Sequence, residues 1–260
     1  MNAPFGWPGG KKNLKLQLLK LIPEHRCYVE VFSGSAKLLF AKEPSQWEIL
    51  NDWNSDLINF FRVAKYRAAE LAQAFDIEIV HGERFLDWKG AHPTDEIHRA
   101  MRFAYLTWWS FGAKGEHFAT TAIASLRSHA RAVHKSIATV REILTKTATR
   151  LHDVQVERRD FADCIQRYDS PDTFFYCDPP YTAFGRNGRY ETLAEDRHRE
   201  LIRSLANIKG KFLLSYDDSE LVREEARAHG LKVRRIEVKY TLAKQAAKRR
   251  KFGELLVSNY

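Results

Sequence analysis

Four consecutive residues, Asp178-Pro179-Pro180-Tyr181, combine a carboxylate, a stiffened backbone carbonyl and an aromatic ring. The chemistry that wants this set is attack by an exocyclic amine on a nucleobase. Such an amine is a poor nucleophile because its lone pair is delocalised into the ring. The Asp178 carboxylate and the Pro179 carbonyl can each accept one amine hydrogen. That favours the pyramidal, attacking nitrogen and stabilises the charge that develops on it. Tyr181 can stack on the base, a contact worth ~1–3 kcal/mol. The ordinary alternative is a proline-rich turn with Tyr181 packed on the surface. Residue usage makes a chance Asp-Pro-Pro-Tyr a matter of roughly one in a thousand chains of this size, which favours chemistry.

Further residues are spaced to hold a nucleotide-like molecule. Pro4 to Lys12 is a glycine-punctuated loop in which Trp7 could cover a flat ring and Lys11 could meet an anion; a basic leader peptide is the other reading. Phe32-Ser33-Gly34-Ser35-Ala36 is a small-residue turn between a strand pattern and a helix pattern. Asp52 follows the next strand pattern, where an acid binds ribose hydroxyls. It could also cap the following helix, a role for which Ser55 competes; the upstream Gly34 favours the ribose. Phe161 lies just past a third strand pattern, as a flank for a flat ring or as ordinary core.

The elements that must position these residues alternate as strand and helix. Thr173-Phe174-Phe175-Tyr176-Cys177 reads as a buried strand stopped by two prolines, with the tetrapeptide on its C-terminal ledge. In open α/β sheets ligands bind at such ends. Strands are expected at Cys27–Phe32, Trp47–Asn51, Val154–Glu157, Lys211–Tyr216, Lys232–Thr241 and Glu254–Tyr260. The link from Leu242 to Gly253 is too short for a crossover helix, so the last two strands are expected to run antiparallel.

Between residues 65 and 150 the alternation gives way to helical and aromatic stretches, which assigns 1–64 with 151–260 to one domain and 65–150 to a mostly helical insert. Trp108 and Trp109 are adjacent, so on a helix they point about 100° apart and at least one belongs to the core. The loop after them holds Phe111, Lys114 and Phe118, suited to filling a gap in a base stack and reading a base edge or a phosphate. A basic segment from Arg127 to Arg150 follows, either phosphate-binding or a solvated face. Arg186 and Arg189 sit in a basic loop after the tetrapeptide.

The formal charge of +9 points to a polyanionic partner, most simply nucleic acid. No apolar run is long enough to span a membrane, and Met1–Lys20 lacks the apolar core of a signal peptide. Cys27, Cys164 and Cys177 are odd in number and widely spaced, which indicates neither a disulfide framework nor a zinc site and fits a reducing cytoplasm.

Taken together, the motifs resemble those of the Dam-type (alpha-group) DNA adenine-N6 methyltransferases, in the family's order and over nearly the whole chain. Trp7-Pro8-Gly9-Gly10-Lys11 is similar to the family's Trp-x-Gly-Gly-Lys cofactor loop, and Phe32–Ala36 to its Phe-x-Gly-x-Gly turn, with Ala36 replacing the second glycine. Asn51–Leu57 resembles the ribose-binding segment, Asp178–Tyr181 matches the catalytic motif, and Leu256–Tyr260 resembles the last strand. The resemblance implies a Rossmann-like methyltransferase fold: a mostly parallel seven-stranded sheet with an antiparallel C-terminal strand and a helical DNA-recognition insert. It implies methyl transfer from S-adenosylmethionine to N6 of an adenine flipped out of duplex DNA, without a metal. Trp7, Lys11, Phe32, Gly34, Asp52, Phe161 and Asp178 would bind the cofactor; Phe111, Lys114, Phe118, Arg127, Arg186 and Arg189 would face DNA. The setting implied is the cytoplasm of a bacterium or archaeon, or a phage-encoded enzyme there, with a cognate restriction nuclease as candidate partner. The rival readings are an RNA adenine methyltransferase and a catalytically silent DNA-binding protein of the same fold.

Overall fold

Every residue of β4 (Thr173–Cys177) is buried, as a strand covered on both faces must be. It belongs to a computed structural model that describes residues 1–7, 14–119, 137–181, 193–238 and 252–260. Packing divides the chain into two units, Met1–Gly10 with Asn54–Val156, and Lys11–Trp53 with Glu157–Tyr260.

The sheet contains β1 (Cys27–Glu30), β2 (Trp47–Asn51), β3 (Val154–Glu157), β4, β5 (Lys211–Asp217), β6 (Lys232–Val238) and β7 (Phe252–Ser258), in the order β3-β2-β1-β4-β5-β7-β6. β1 pairs in parallel with β2 and β4, and β4 with β5. β7 lies between β5 and β6 and is antiparallel to both, as the short final link requires. The chain leaves β1 toward β2 on one side and returns as β4 on the other. The C-terminal ends of β1 and β4 are therefore the point where the strand order reverses.

In the Lys11–Trp53 and Glu157–Tyr260 unit, one sheet face carries Val29, Val31, Phe175, Cys177, Phe212, Leu214, Leu255 and Val257. Cys164 and Ile165 of α8 (Phe161–Tyr168), Leu201, Ile202 and Leu205 of α9 (Glu195–Ala206), and Val222 and Ala226 of α10 (Glu220–Ala228) cover that face. The other face presents Tyr28, Glu30, Phe174 and Tyr176, since register pairs Tyr28 with Phe174 and Glu30 with Tyr176. Short helices α1 (Lys15–Leu19) and α2 (Lys37–Ala41) belong to this unit and pack together. The closing Asn259 takes the Phe212 N–H at 3.1 Å and gives its amide to the Gly210 carbonyl at 2.9 Å. Gly210 must be glycine, because a Cβ there would lie 2.6 Å from the Thr173 carbonyl oxygen.

The Met1–Gly10 and Asn54–Val156 unit is helical: α3 (Ser55–Tyr66), α4 (Ala68–Asp76), α5 (Gly82–Gly90), α6 (Glu96–Trp108) and α7 (Ile137–Leu151). Asn54 caps α3 by accepting from the Asp56 and Leu57 N–H groups, worth ~1 kcal/mol. Neither Asp52 nor Ser55 is the cap. α3 packs on α6 through Phe60, Phe61 and Phe103, with Phe5 beside them. Trp109 is core, its ring 4.6 Å from that of Tyr105. Such pairs each add ~0.5–1.5 kcal/mol beyond area burial, so this unit is held largely by ring packing.

Candidate active site

Asp178 is the first residue past β4, half-buried at the strand's lip, while Pro179 beneath it is buried. The strand seats this ledge rigidly because both of its neighbours are parallel strands. On the same face one position back lies the Tyr176 hydroxyl, buried and without a hydrogen-bond partner among the described residues. Beside Tyr176 in register is Glu30, which accepts from the Tyr28 hydroxyl and the Leu39 N–H, each at 3.1 Å. Burial pushes the Glu30 carboxyl up to about 8, and the nearby Asp178 charge adds to the rise. Burial thus favours the protonated form of Glu30. Nothing in the sequence pattern singled out Glu30 or Tyr176; an acid inside an apolar strand was the available signal.

The turn after β1 is bent by two left-handed residues, Gly34 at φ 47° and Ala36 at φ 54°. Ala36 keeps a conformation that glycine adopts freely, at a cost of about 1 kcal/mol. The Gly34 N–H donates to Asp52 Oδ2 at 3.0 Å, so the acid after β2 is drawn onto the turn after β1. Asn51 ties the surrounding chain: its amide donates to the Val31 and Arg159 carbonyls at 3.0 and 3.1 Å, and its Oδ1 accepts from the Arg159 N–H at 2.9 Å. In the sequence Asn51 is only one position of a motif, yet in the fold it joins three segments.

Phe161 begins α8 and is buried, with the Phe32 ring 5.8 Å away and the Arg197 guanidinium 4.3 Å above its own ring. Arg197 also pairs with Asp160, the α8 cap, and with Glu200. Phe161 thus presents one ring face to a cation. Tyr181 is buried too, its ring stacked on that of Tyr216.

A glycine-bearing turn, an acid that meets it and an Asp-Pro-Pro-Tyr ledge at adjacent strand ends suit transfer of a group to a nucleobase amine. The model of the D12 class N6 adenine-specific DNA methyltransferases matches residues 7–242. The chain belongs to this family. Two similar proteins are the DNA adenine methylases of Salmonella typhi and Escherichia coli K12, each 26% identical over 270 residues, covering 96% of this chain and 92% of theirs. A Type II methyltransferase of Lactococcus lactis, M1.LlaDCHI, is 24% identical over 275 residues, covering 98% of this chain and 94% of its own.

The residues assigned to this DNA adenine methyltransferase by sequence fall in three groups. Phe32, Gly34, Asp52, Phe161 and Asp178 to Tyr181 lie in the unit that carries β1, β2 and β4. Trp7, Phe111, Lys114 and Phe118 lie in the helical unit. Trp7 packs there against Phe5 and Phe103 at 5.9 and 6.2 Å. Phe111 is 61% exposed on a single 3-10 turn, and the Lys114 N–H donates to its carbonyl. Phe118 is instead held by the Phe85 ring at 5.6 Å and bridged to Ser110. Lys11, Arg127, Arg186 and Arg189 lie outside the described residues. Within the basic segment, Arg141 pairs with Asp76 and Lys146 with Glu142, so those two serve as a solvated face.

Among the described residues no cluster of three or more His, Cys, Asp or Glu side chains could hold a metal. No described helix is long and apolar enough to cross a membrane.

Proposed function

We propose that the ledge methylates N6 of an adenine flipped out of duplex DNA, with S-adenosylmethionine as the donor. The observation that supports it most is the Gly34–Asp52 bond beside the Asp178 lip, at the strand ends where the sheet order reverses. This donor set fits the cofactor. A left-handed turn lets backbone approach closely, and a carboxylate at a second strand end suits a ribose diol. Asp52 would hold the ribose, Gly34 and Phe32 would border the cofactor, and Trp7, Lys11 and Phe161 join them by resemblance. When bound, S-adenosylmethionine supplies a sulfonium methyl that is already activated.

The protein's own work is alignment and charge stabilisation. The Asp178 carboxylate and the Pro179 carbonyl accept the two hydrogens of the adenine amine. Its lone pair then points away from them, and Asp178 stabilises the positive charge that grows on nitrogen. Residues 65–150 serve target recognition, with Phe111 as the side chain that fills the gap left by the flipped base. The protein works in a microbial cytoplasm on this reading, and the similarity to a Type II methyltransferase supports a cognate restriction nuclease as partner.

Expression in a methylation-free bacterial host, followed by sequencing for modified adenine, tests the reading. N6-methyladenine at a recurring site is expected, and Asp178→Ala should abolish it with the fold intact. Methyl transfer to structured RNA and none to duplex DNA would overturn it in favour of an RNA enzyme.

A further inference from the structure

The catalytic tetrapeptide ends on Tyr181, and the neighbours of that ring are a second tyrosine and a histidine outside every motif discussed above. The Tyr181 and Tyr216 rings are stacked, with centroids 5.5 Å apart and planes inclined by 18°. Tyr216 lies near the end of β5 and is fully buried. Its hydroxyl and Nδ1 of His198 on α9 share a hydrogen bond. His198 is 1% exposed, and burial holds its imidazole below the ordinary value, against the opposing pull of Asp217, the Leu193 carbonyl and Glu195.

The stack occupies one face of the Tyr181 ring, so a base can stack only on the other. The Tyr181 hydroxyl lies 3.4 Å from Ser215 Oγ, a second contact that limits rotation of the ring.

We propose that Tyr216 and His198 are positioning residues for the catalytic motif: Tyr216 sets the plane of the Tyr181 ring, and His198 locks Tyr216. The inference rests on the reading that Tyr181 borders the target adenine. A ring plane that can rock lets the base, and the amine on it, leave the attack geometry. Displacement of about 1 Å can cost on the order of a hundredfold in rate without any direct contact being lost.

The test uses the full-length enzyme with S-adenosylmethionine and a duplex carrying the site found by sequencing. Single-turnover methyl transfer, cofactor affinity by calorimetry and thermal midpoint are measured for each variant. Tyr216→Leu removes the stack, Tyr216→Phe removes the hydroxyl alone, and His198→Ala removes the lock. Tyr216→Leu should slow the single turnover at least about tenfold with cofactor affinity unchanged. Tyr216→Phe and His198→Ala should each slow it less, and the double variant should be no slower than the worse single one, because both cut the same link. His198→Asn, which keeps an acceptor and a donor, should recover part of the rate. If Tyr216→Leu does not fold, the Phe–Ala cycle and the Asn rescue decide. An active wild type whose Tyr216 and His198 variants keep its rate, or whose losses multiply independently, overturns the positioning role alone. A wild type that methylates RNA or nothing overturns the function itself, and this inference with it.

Discussion

The backbone N–H of Gly34 donates to the carboxylate of Asp52 at 3.0 Å, so the turn after β1 and the acid after β2 form one unit. Gly34 itself is left-handed, at φ 47°. With Asn54 as the cap of α3, the carboxylate serves the turn rather than the helix.

Asp52→Ala is therefore expected to weaken S-adenosylmethionine binding far more than DNA binding. A lost bond to a charged acceptor is worth ~1.5–3 kcal/mol, or roughly 10- to 100-fold in affinity. Titration calorimetry on the free enzyme reads this directly, and an unchanged cofactor affinity would remove Asp52 from the cofactor site.

Glu30 makes stability depend on pH. Its carboxyl titrates at about 8 in the fold against an ordinary 4.5, chiefly because it is buried. Between those values the folded protein keeps a proton that the unfolded chain releases, so stability falls as pH rises from about 4.5 to about 8. Glu30→Gln keeps an acceptor for Tyr28 and Leu39 but cannot ionise. It should be the more stable protein at pH 8.5, by on the order of a few kcal/mol, with little advantage near pH 5. Urea unfolding at both pH values checks it; parallel curves would mean that Glu30 ionises normally.

Phe111 and Phe118 are chemically alike, but they separate by environment. The first is mostly exposed and the second packs on Phe85. Phe111→Ala should reduce the fluorescence rise of 2-aminopurine placed at the target adenine and leave the thermal midpoint alone. Phe118→Ala should instead lower stability by roughly 1–3 kcal/mol. The reverse pattern would reassign the wedge.

Affinity for DNA should fall linearly with salt on a log–log plot, as counterions leave the phosphates. Arg186→Gln with Arg189→Gln should make that slope about two units shallower without altering the preferred sequence. A wild-type slope near zero would mean that phosphates are not contacted.

The order of elements, the ledge at the end of β4, the short turn after β1 and the antiparallel final pair were all legible in the sequence. Each depends on neighbouring residues: an apolar run, a proline pair, a glycine, or a link too short to cross. Even the membership of a methyltransferase family rests on such local motifs. Folding decided the partners. That Asn54 caps α3, that Asn51 ties three segments, that Arg197 covers Phe161 and that Tyr216 backs Tyr181 follow from strand order and helix packing. Chain-local patterns carry no record of these contacts, because their members are far apart and of types found everywhere. Glu30 shows the same limit: its identity is plain in the sequence, but the rise of its pKa comes from its burial in the fold.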